Sequence, residues 1–264
     1  MEWVTVAGSQ AAYVSGPRRA AAGDGPLVCV HGAGGTHRTW LPLLEGLGAR
    51  FAVVAVDLPG HGASAGKGSE TIAGYADFVR GFLDALGLRR ASLCGHSMGG
   101  AIVQAVCLAA PARVSGLVLA GTGARLRVSP KILEPLAAGD GASAVSLLRE
   151  WAFGPGVPEA RAEAWTADIL RYVPAPVLAR DFRACDAFDA MAEVGRVAAP
   201  ALAICGSADR LTPPKYSAFL AQRIPGCRLR ILEGAGHFPM LEQPEAFNAA
   251  LADFLASLAG GPAA

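Results

Sequence analysis

From residue 27 onward the chain returns repeatedly to short apolar runs of β-favouring residues: Leu27–Val30, Ala52–Val56, Ser92–Cys94, Leu117–Ala120, Ala201–Cys205 and Arg228–Leu232. Runs without regular polar alternation are what strands buried on both faces require, which is the condition inside a parallel sheet. Segments of helical length separate them, namely His37–Leu47, Thr71–Leu86, Met98–Ala109, Pro213–Arg223 and Pro244–Leu258. Two further strand-like runs, Val4–Ala7 and Ala12–Val14, precede the series. Alternation of this kind predicts an α/β fold with a mostly parallel, doubly wound sheet.

The alternation stops between residues 125 and 197. That stretch holds Trp151, Phe153, Trp165, Tyr172, Phe182 and Phe188 among alanines and arginines, with Pro155, Pro158, Pro174 and Pro176 as punctuation. A connection of this length is several times what an α/β crossover needs, so it reads as a helical insertion lying over the sheet. The chain is therefore divided into a core, 1–124 with 198–264, and a helical cap, 125–197. The tail Gly260–Ala264 reads as frayed.

With 264 residues, 52% of them hydrophobic and 17% charged, the chain can bury a sizeable core and is too apolar for disorder. Its 23 basic and 22 acidic residues form no basic stripe, which argues against nucleic acid as a partner. The longest apolar stretch, 101–124, is broken by Gln104, Pro111, Arg113 and Ser115, so no membrane span is expected. The start Met1-Glu2-Trp3 lacks a basic segment followed by an apolar run, and a cytoplasmic protein is the expectation. Cysteines 29, 94, 107, 185, 205 and 227 show no C-x-x-C spacing and read as buried reduced thiols; no metal site is expected. Oligomeric state is not legible.

Two segments match G-x-S-x-G, a pattern that holds a nucleophilic serine on a strand-to-helix turn: Gly62–Gly66 around Ser64 and Gly95–Gly99 around Ser97. Ser97 follows a strand directly and opens a helix crowded with small residues, where Gly95, Gly99 and Gly100 would relieve collisions. Ser64 runs into the polar loop Lys67–Glu70, so context selects Ser97. A serine hydroxyl needs a base, and the base needs an orienting carboxylate. His237 in Gly234–Phe238 and Asp209 in Cys205–Asp209 both lie just past a strand, and the order Ser97, Asp209, His237 suits this arrangement. The Met98 amide at the helix start and the Ala33 amide in the glycine-rich loop His31–Gly35 are the candidate oxyanion donors. His96 reads as a packing residue beneath the elbow, His61 as structural and His37 as a helix-entry residue.

Five segments in order, VHGAGG (30–35), DLPGHG (57–62), GHSMGG (95–100), GSADRLTP (206–213) and GAGHFPMLEQPEAF (234–247), resemble the α/β-hydrolase superfamily in its esterase, enol-lactonase and non-haem perhydrolase-like branch. The resemblance spans nearly the whole chain. It implies an α/β-hydrolase fold, Ser97 as nucleophile, His237 as general base and then acid, Asp209 as orienting carboxylate, Ala33 and Met98 as oxyanion donors, and no cofactor. It further implies that 125–197 is the helical cap, the most variable part of such proteins. Serine at the elbow separates the chain from the dehalogenase and epoxide hydrolase branches, which carry aspartate there.

The activity expected on this basis is hydrolysis of small to medium carboxylic esters or lactones, the substrate being a small molecule. Trp40, Trp151, Phe153, Phe182 and Phe188, with Met98 near the base, are candidates for an apolar substrate pocket. Arg125, Arg127 and Arg183 are candidates for pairing with an acidic substrate. The same triad could instead cleave a carbon–carbon bond, use hydrogen peroxide as acyl acceptor, or serve a slow-turnover ligand receptor.

Overall fold

A computed structural model describes residues 1–19 and 25–259; the tail at 260–264 lies outside the described residues. Eight strands form one sheet: β1 (Glu2–Val6), β2 (Ser9–Ser15), β3 (Leu27–Val30), β4 (Val53–Val56), β5 (Ala91–His96), β6 (Val114–Ala120), β7 (Ala201–Gly206) and β8 (Arg228–Leu232). Their order across the sheet is β1-β2-β4-β3-β5-β6-β7-β8. The pairs β1 with β2 and β2 with β4 are antiparallel, and every pair from β4 through β3 to β8 is parallel. Helices α1 (Leu41–Leu47), α2 (Ile72–Ala85), α3 (Met98–Ala109), α8 (Pro214–Arg223), α9 (Pro239–Glu242) and α10 (Pro244–Ala259) connect or follow them.

The period of two along each strand sorts side chains between two cores. In β3, Leu27 and Cys29 face the core built with Trp40, Leu43, Phe247 and Leu251 of the α1 and α10 side. Val28 and Val30 face the opposite core, with Tyr75, Phe82 and Ile102 of α2 and α3. The strands β6 and β7 alternate in the same way, which explains why their sequences show no polar face. The edge strand β8 departs from the predicted pattern: Arg228 to Ile231 are exposed, with Leu229 at 41% and Ile231 at 43%. Only one neighbour pairs with it, and its arginines suit an edge that must not recruit further strands.

Between β6 and β7 the chain forms four helices, α4 (Pro130–Ala137), α5 (Gly141–Ala152), α6 (Glu159–Tyr172) and α7 (Ala175–Ala187). They share a separate apolar cluster of Ile132, Leu136, Val145, Leu148, Ile169 and Leu178. Ser129 and Asp140 cap α4 and α5 by accepting from the amides of Lys131 and Ser143. None of the six cysteines is disulfide-bonded; five are buried and Cys227 is partly exposed. Among the described residues no helix is long and apolar enough to cross a membrane, and no cluster of three metal-ligating side chains occurs.

Candidate active site

The chain leaves β3 toward β4 on one side and returns past it to β5 on the other, so the carboxyl ends of β3 and β5 flank the point where the winding reverses. Open α/β sheets place ligands in that crevice. The loop His31–Gly35 follows β3 and Ser97 follows β5. Ser97 has φ 53° and ψ −116°, one of only two non-glycine residues with positive φ among those described. The neighbouring glycines explain how so tight a turn packs. A Cβ on Gly95 would lie 2.1 Å from Gly99 O, and one on Gly99 would lie 2.2 Å from Val30 O. Gly100 is confined by a side chain, since its Cβ would meet Thr122 at 2.4 Å.

Ser97 is anchored through its backbone: its amide donates to Ala120 O (2.9 Å), and Thr122 Oγ1 donates to its carbonyl (2.8 Å). Its hydroxyl makes no hydrogen bond among the described residues, and such contacts are often long before substrate is bound. The other match to the serine pattern has a different job. Ser64 is buried, donates to Asp57 O (2.7 Å) and accepts from Ala12 N (2.8 Å), so its hydroxyl ties a loop to β2.

Asp209 follows β7 and His237 follows β8, and they meet with His237 Nδ1 2.9 Å from Asp209 Oδ2. Asp209 also accepts from Leu211 N (2.9 Å), Thr212 N (2.8 Å) and Thr212 Oγ1 (2.8 Å). Burial works to raise the Asp209 carboxyl, but His237 and the hydrogen bonds from His237 and Thr212 outweigh it and hold the group below the usual range. An ionised Asp209 can only accept, so His237 carries its proton on Nδ1 and leaves Nε2 with the lone pair.

The loop bearing His237 is fastened from two sides. Its amide donates to Ala152 O in α5 (2.6 Å). Glu242 accepts from Gly154 N (2.9 Å), Gly236 N (2.7 Å) and Phe238 N (3.0 Å). His96 is buried as its packing role suggested, and it also lines the cavity and donates from Nε2 to His237 O (2.8 Å). Burial, and then His237 beside it, pushes the His96 imidazole down to about 3, so it stays neutral.

Ser97, His96, His237 and Ala33 share one cavity of about 200 Å³. Of the aromatic residues singled out in the sequence, Trp151 and Phe182 line it. Trp40, Phe153 and Phe188 do not. Trp40 is fully buried on the α1 side of the sheet against Phe247, Phe153 lines a neighbouring cleft with Trp165, and Phe188 packs on the α2 and α3 core. Met98 is likewise fully buried in that core. In their place Trp165, Tyr216 and Phe238 contribute aromatic walls, with Leu148 and Leu211. The sequence offered no signal for this choice, because which face of an inserted helix turns inward depends on its docking.

Of the three arginines, only Arg127 reaches the cavity. Arg125 pairs with Asp189 at 3.7 Å and Arg183 with Glu70 at 3.2 Å. Arg210, adjacent to Asp209, lines the cavity as well. Neither Arg127 nor Arg210 makes a salt bridge among the described residues.

Known proteins resemble this chain in sequence and fold. The model of the alpha/beta hydrolase family matches residues 27–250. Among curated relatives, the pimeloyl-[acyl-carrier protein] methyl ester esterase of Nitrosomonas europaea is 31% identical over 241 residues, covering 85% of this chain and 94% of that protein. Among solved structures, a thermophilic esterase superposes with TM-score 0.86 at 32% identity, covering 97% of each chain. The enol-lactonase of Burkholderia xenovorans LB400 superposes with TM-score 0.86 at 29% identity, covering 97% of this chain and 100% of that one. The sheet order, the strand-end elbow and the match across most of the length lead to one assignment: the chain belongs to the alpha/beta hydrolase family.

Proposed function

We propose that this protein is a serine hydrolase that cleaves small carboxylic esters or lactones through an acyl-enzyme on Ser97. In this reading residues 1–124 and 198–264 form the catalytic core and 125–197 the cap. The observation that carries it is the Asp209–His237 pair, 2.9 Å apart, whose His237 lines the same cavity as a serine in a strained elbow.

His237 Nε2 takes the proton of Ser97 as the hydroxyl oxygen attacks the ester carbonyl. The oxyanion is held by the amides of Ala33 and Met98; neither amide has another acceptor among the described residues, and Met98 opens α3, where the helix dipole favours negative charge. The imidazolium then protonates the leaving alcohol, and Asp209 stabilises its charge. Water, deprotonated by the same Nε2, attacks the acyl carbon and releases the acid and free Ser97.

A cavity of about 200 Å³ is below the range typical of sites for drug-sized ligands, which favours short acyl chains. The guanidinium groups of Arg127 and Arg210, which donate to Asp186 O and Glu150 O but face no carboxylate within salt-bridge distance among the described residues, further favour substrates with a carboxylate beyond the scissile bond. Turnover of p-nitrophenyl esters from acetate to octanoate, with a succinate monoester alongside, tests the reading. Steady turnover with a short-chain optimum, lost in Ser97→Ala, is expected; a burst without turnover would instead favour a ligand receptor.

A further inference from the structure

A polar cluster outside the proposed triad joins the cap to the loop that presents Ala33. Asp181 lies in the middle of α7 and is 0% exposed. Three donors from three separate segments of the core point at its carboxylate. Gly34 N donates to Oδ2 (3.0 Å), His61 Nε2 lies 2.8 Å from the same oxygen, and the Tyr75 hydroxyl of α2 donates to Oδ1. Tyr75 is kept as a donor because burial, and then Asp181 beside it, pushes its phenol upward.

The protonation of His61 follows from its two neighbours. Nε2 faces Asp181, and Nδ1 lies 3.1 Å from Pro59 O, so both ring nitrogens face acceptors and both must carry protons. Burial opposes that charge, but Asp181 and the hydrogen bonds to it outweigh burial, and the His61 pKa lies above its ordinary value. The neighbouring His31, its ring tilted by 51° and 4.8 Å away between ring centroids, is neutral. Its Nε2 accepts from Leu58 N (3.0 Å), its Nδ1 donates to Gly32 O (2.9 Å), and burial followed by His61 drives it down to about 4. Asp57, the other carboxylate near this cluster, is occupied by His37 (2.9 Å) and Ala63 N (3.1 Å). His61–Asp181 is therefore a charged pair that crosses from cap to core fully buried on both sides, whereas Arg38–Asp168 and Arg183–Glu70 cross at the exposed surface.

Gly34 is where this pair touches the chemistry. Gly35 N donates to Gly32 O (3.0 Å), closing a turn whose central residues are Ala33 and Gly34, and Gly34 has φ +69°. Positive φ at the third position is the type II pattern, in which the peptide between the central residues is rotated by about half a turn relative to type I. The amide of that central peptide is the one that donates to Asp181. Cap side chains close the space around it, since a Cβ on Gly34 would lie 2.8 Å from Leu178.

Resting on the serine-hydrolase reading above, we infer that Asp181 is a positioning residue: from the cap, with the His61 imidazolium as its counter-ion, it fixes the turn that aims the Ala33 amide at the oxyanion. Asp181 touches no reacting atom. It couples cap docking to transition-state stabilisation, so an undocked cap leaves the turn unpinned.

The test compares wild type, Asp181→Ala, Asp181→Asn and Ser97→Ala on a short p-nitrophenyl ester, with rates expressed per active site titrated. An aryl boronic acid, whose tetrahedral adduct occupies the oxyanion position, provides a second readout. Asp181→Ala is expected to lower kcat at least about tenfold and to weaken boronate binding by a similar factor, because one oxyanion donor is worth about a hundred- to a thousandfold when lost. KM should stay within about twofold. Asp181→Asn, which keeps an oxygen for Gly34 while the Tyr75 hydroxyl can turn to accept, should recover most of kcat. Unchanged kcat and boronate affinity in Asp181→Ala would overturn this inference while leaving the serine mechanism intact. Absence of Ser97-dependent turnover in wild type would overturn both. Should Asp181→Ala fail to fold, hydrogen exchange of the wild-type Gly34 amide decides: slow exchange is expected, and exchange at the rate of an open loop overturns the inference.

Discussion

The φ of 53° and ψ of −116° at Ser97 place a residue with a Cβ where such residues rarely sit, at a cost of about 1–3 kcal/mol that glycine largely escapes. Ser97→Ala keeps that Cβ and hence the strain, whereas Ser97→Gly removes it. The hydrogen bonds that anchor the elbow, Ser97 N to Ala120 O and Thr122 Oγ1 to Ser97 O, use only backbone atoms of Ser97 and survive both changes. Against the relief stands the greater freedom of glycine in the unfolded chain, about 0.4–1 kcal/mol. The difference leaves Ser97→Gly more stable than Ser97→Ala by about 1 kcal/mol, or roughly 2–4 °C in Tm for a chain of this size. Urea and thermal unfolding of the two variants measure it. Equal stability, or a more stable alanine variant, would refute the claim that the elbow is held in strain.

Asp209→Asn should preserve the fold but lower kcat by about ten-thousandfold, as loss of the carboxylate releases the wrong imidazole tautomer; an effect below tenfold would contradict the assigned role. Because the folded pKa of His61 is raised above 6.5, its contribution to stability is fully present below about that pH and is lost as pH rises through the folded value. The urea midpoint of wild type should therefore fall as pH rises above about 6.5 more steeply than that of His61→Gln. The depressed Asp209 carboxyl acts in the other direction, contributing stability above its unfolded value and losing it as pH falls through the folded one. Trp165 lines both the candidate catalytic cavity and the neighbouring cleft with Phe153, so Trp165→Ala should join them and shift the acyl-chain optimum of the ester series to longer chains. An unmoved optimum would mean that another wall sets the limit.

The parallel sheet was readable because strands buried on both faces write themselves as apolar runs, as in β3, which falls at the predicted residues; the position of β8 was readable too. The exposure of β8 was not, since a strand's place at the edge depends on which neighbours pair with it. Ser97, Asp209 and His237 could be picked out as candidates because each lies shortly after a strand, one, three and five residues past β5, β7 and β8, where local pattern constrains position in space. Trp40 and Phe153 misled for the converse reason: an aromatic residue signals burial, and only packing decides whether it faces a core or a cavity. Asp181 left no trace in the sequence at all. Its partners Gly34, His61 and Tyr75 lie more than 100 residues away in the chain, and a lone aspartate in an amphipathic helix looks like any solvated one. Glu242 stood inside a motif that was visible, but its three amide partners emerge only from the fold.

The central claim is that Ser97, and no other serine, becomes acylated. Incubation with a fluorophosphonate, followed by intact mass and peptide mapping, tests it most directly. One stoichiometric adduct on Ser97, absent from Ser97→Ala and slowed in His237→Ala, is the predicted result. An adduct on Ser64, or ester turnover that persists in Ser97→Ala, would contradict it.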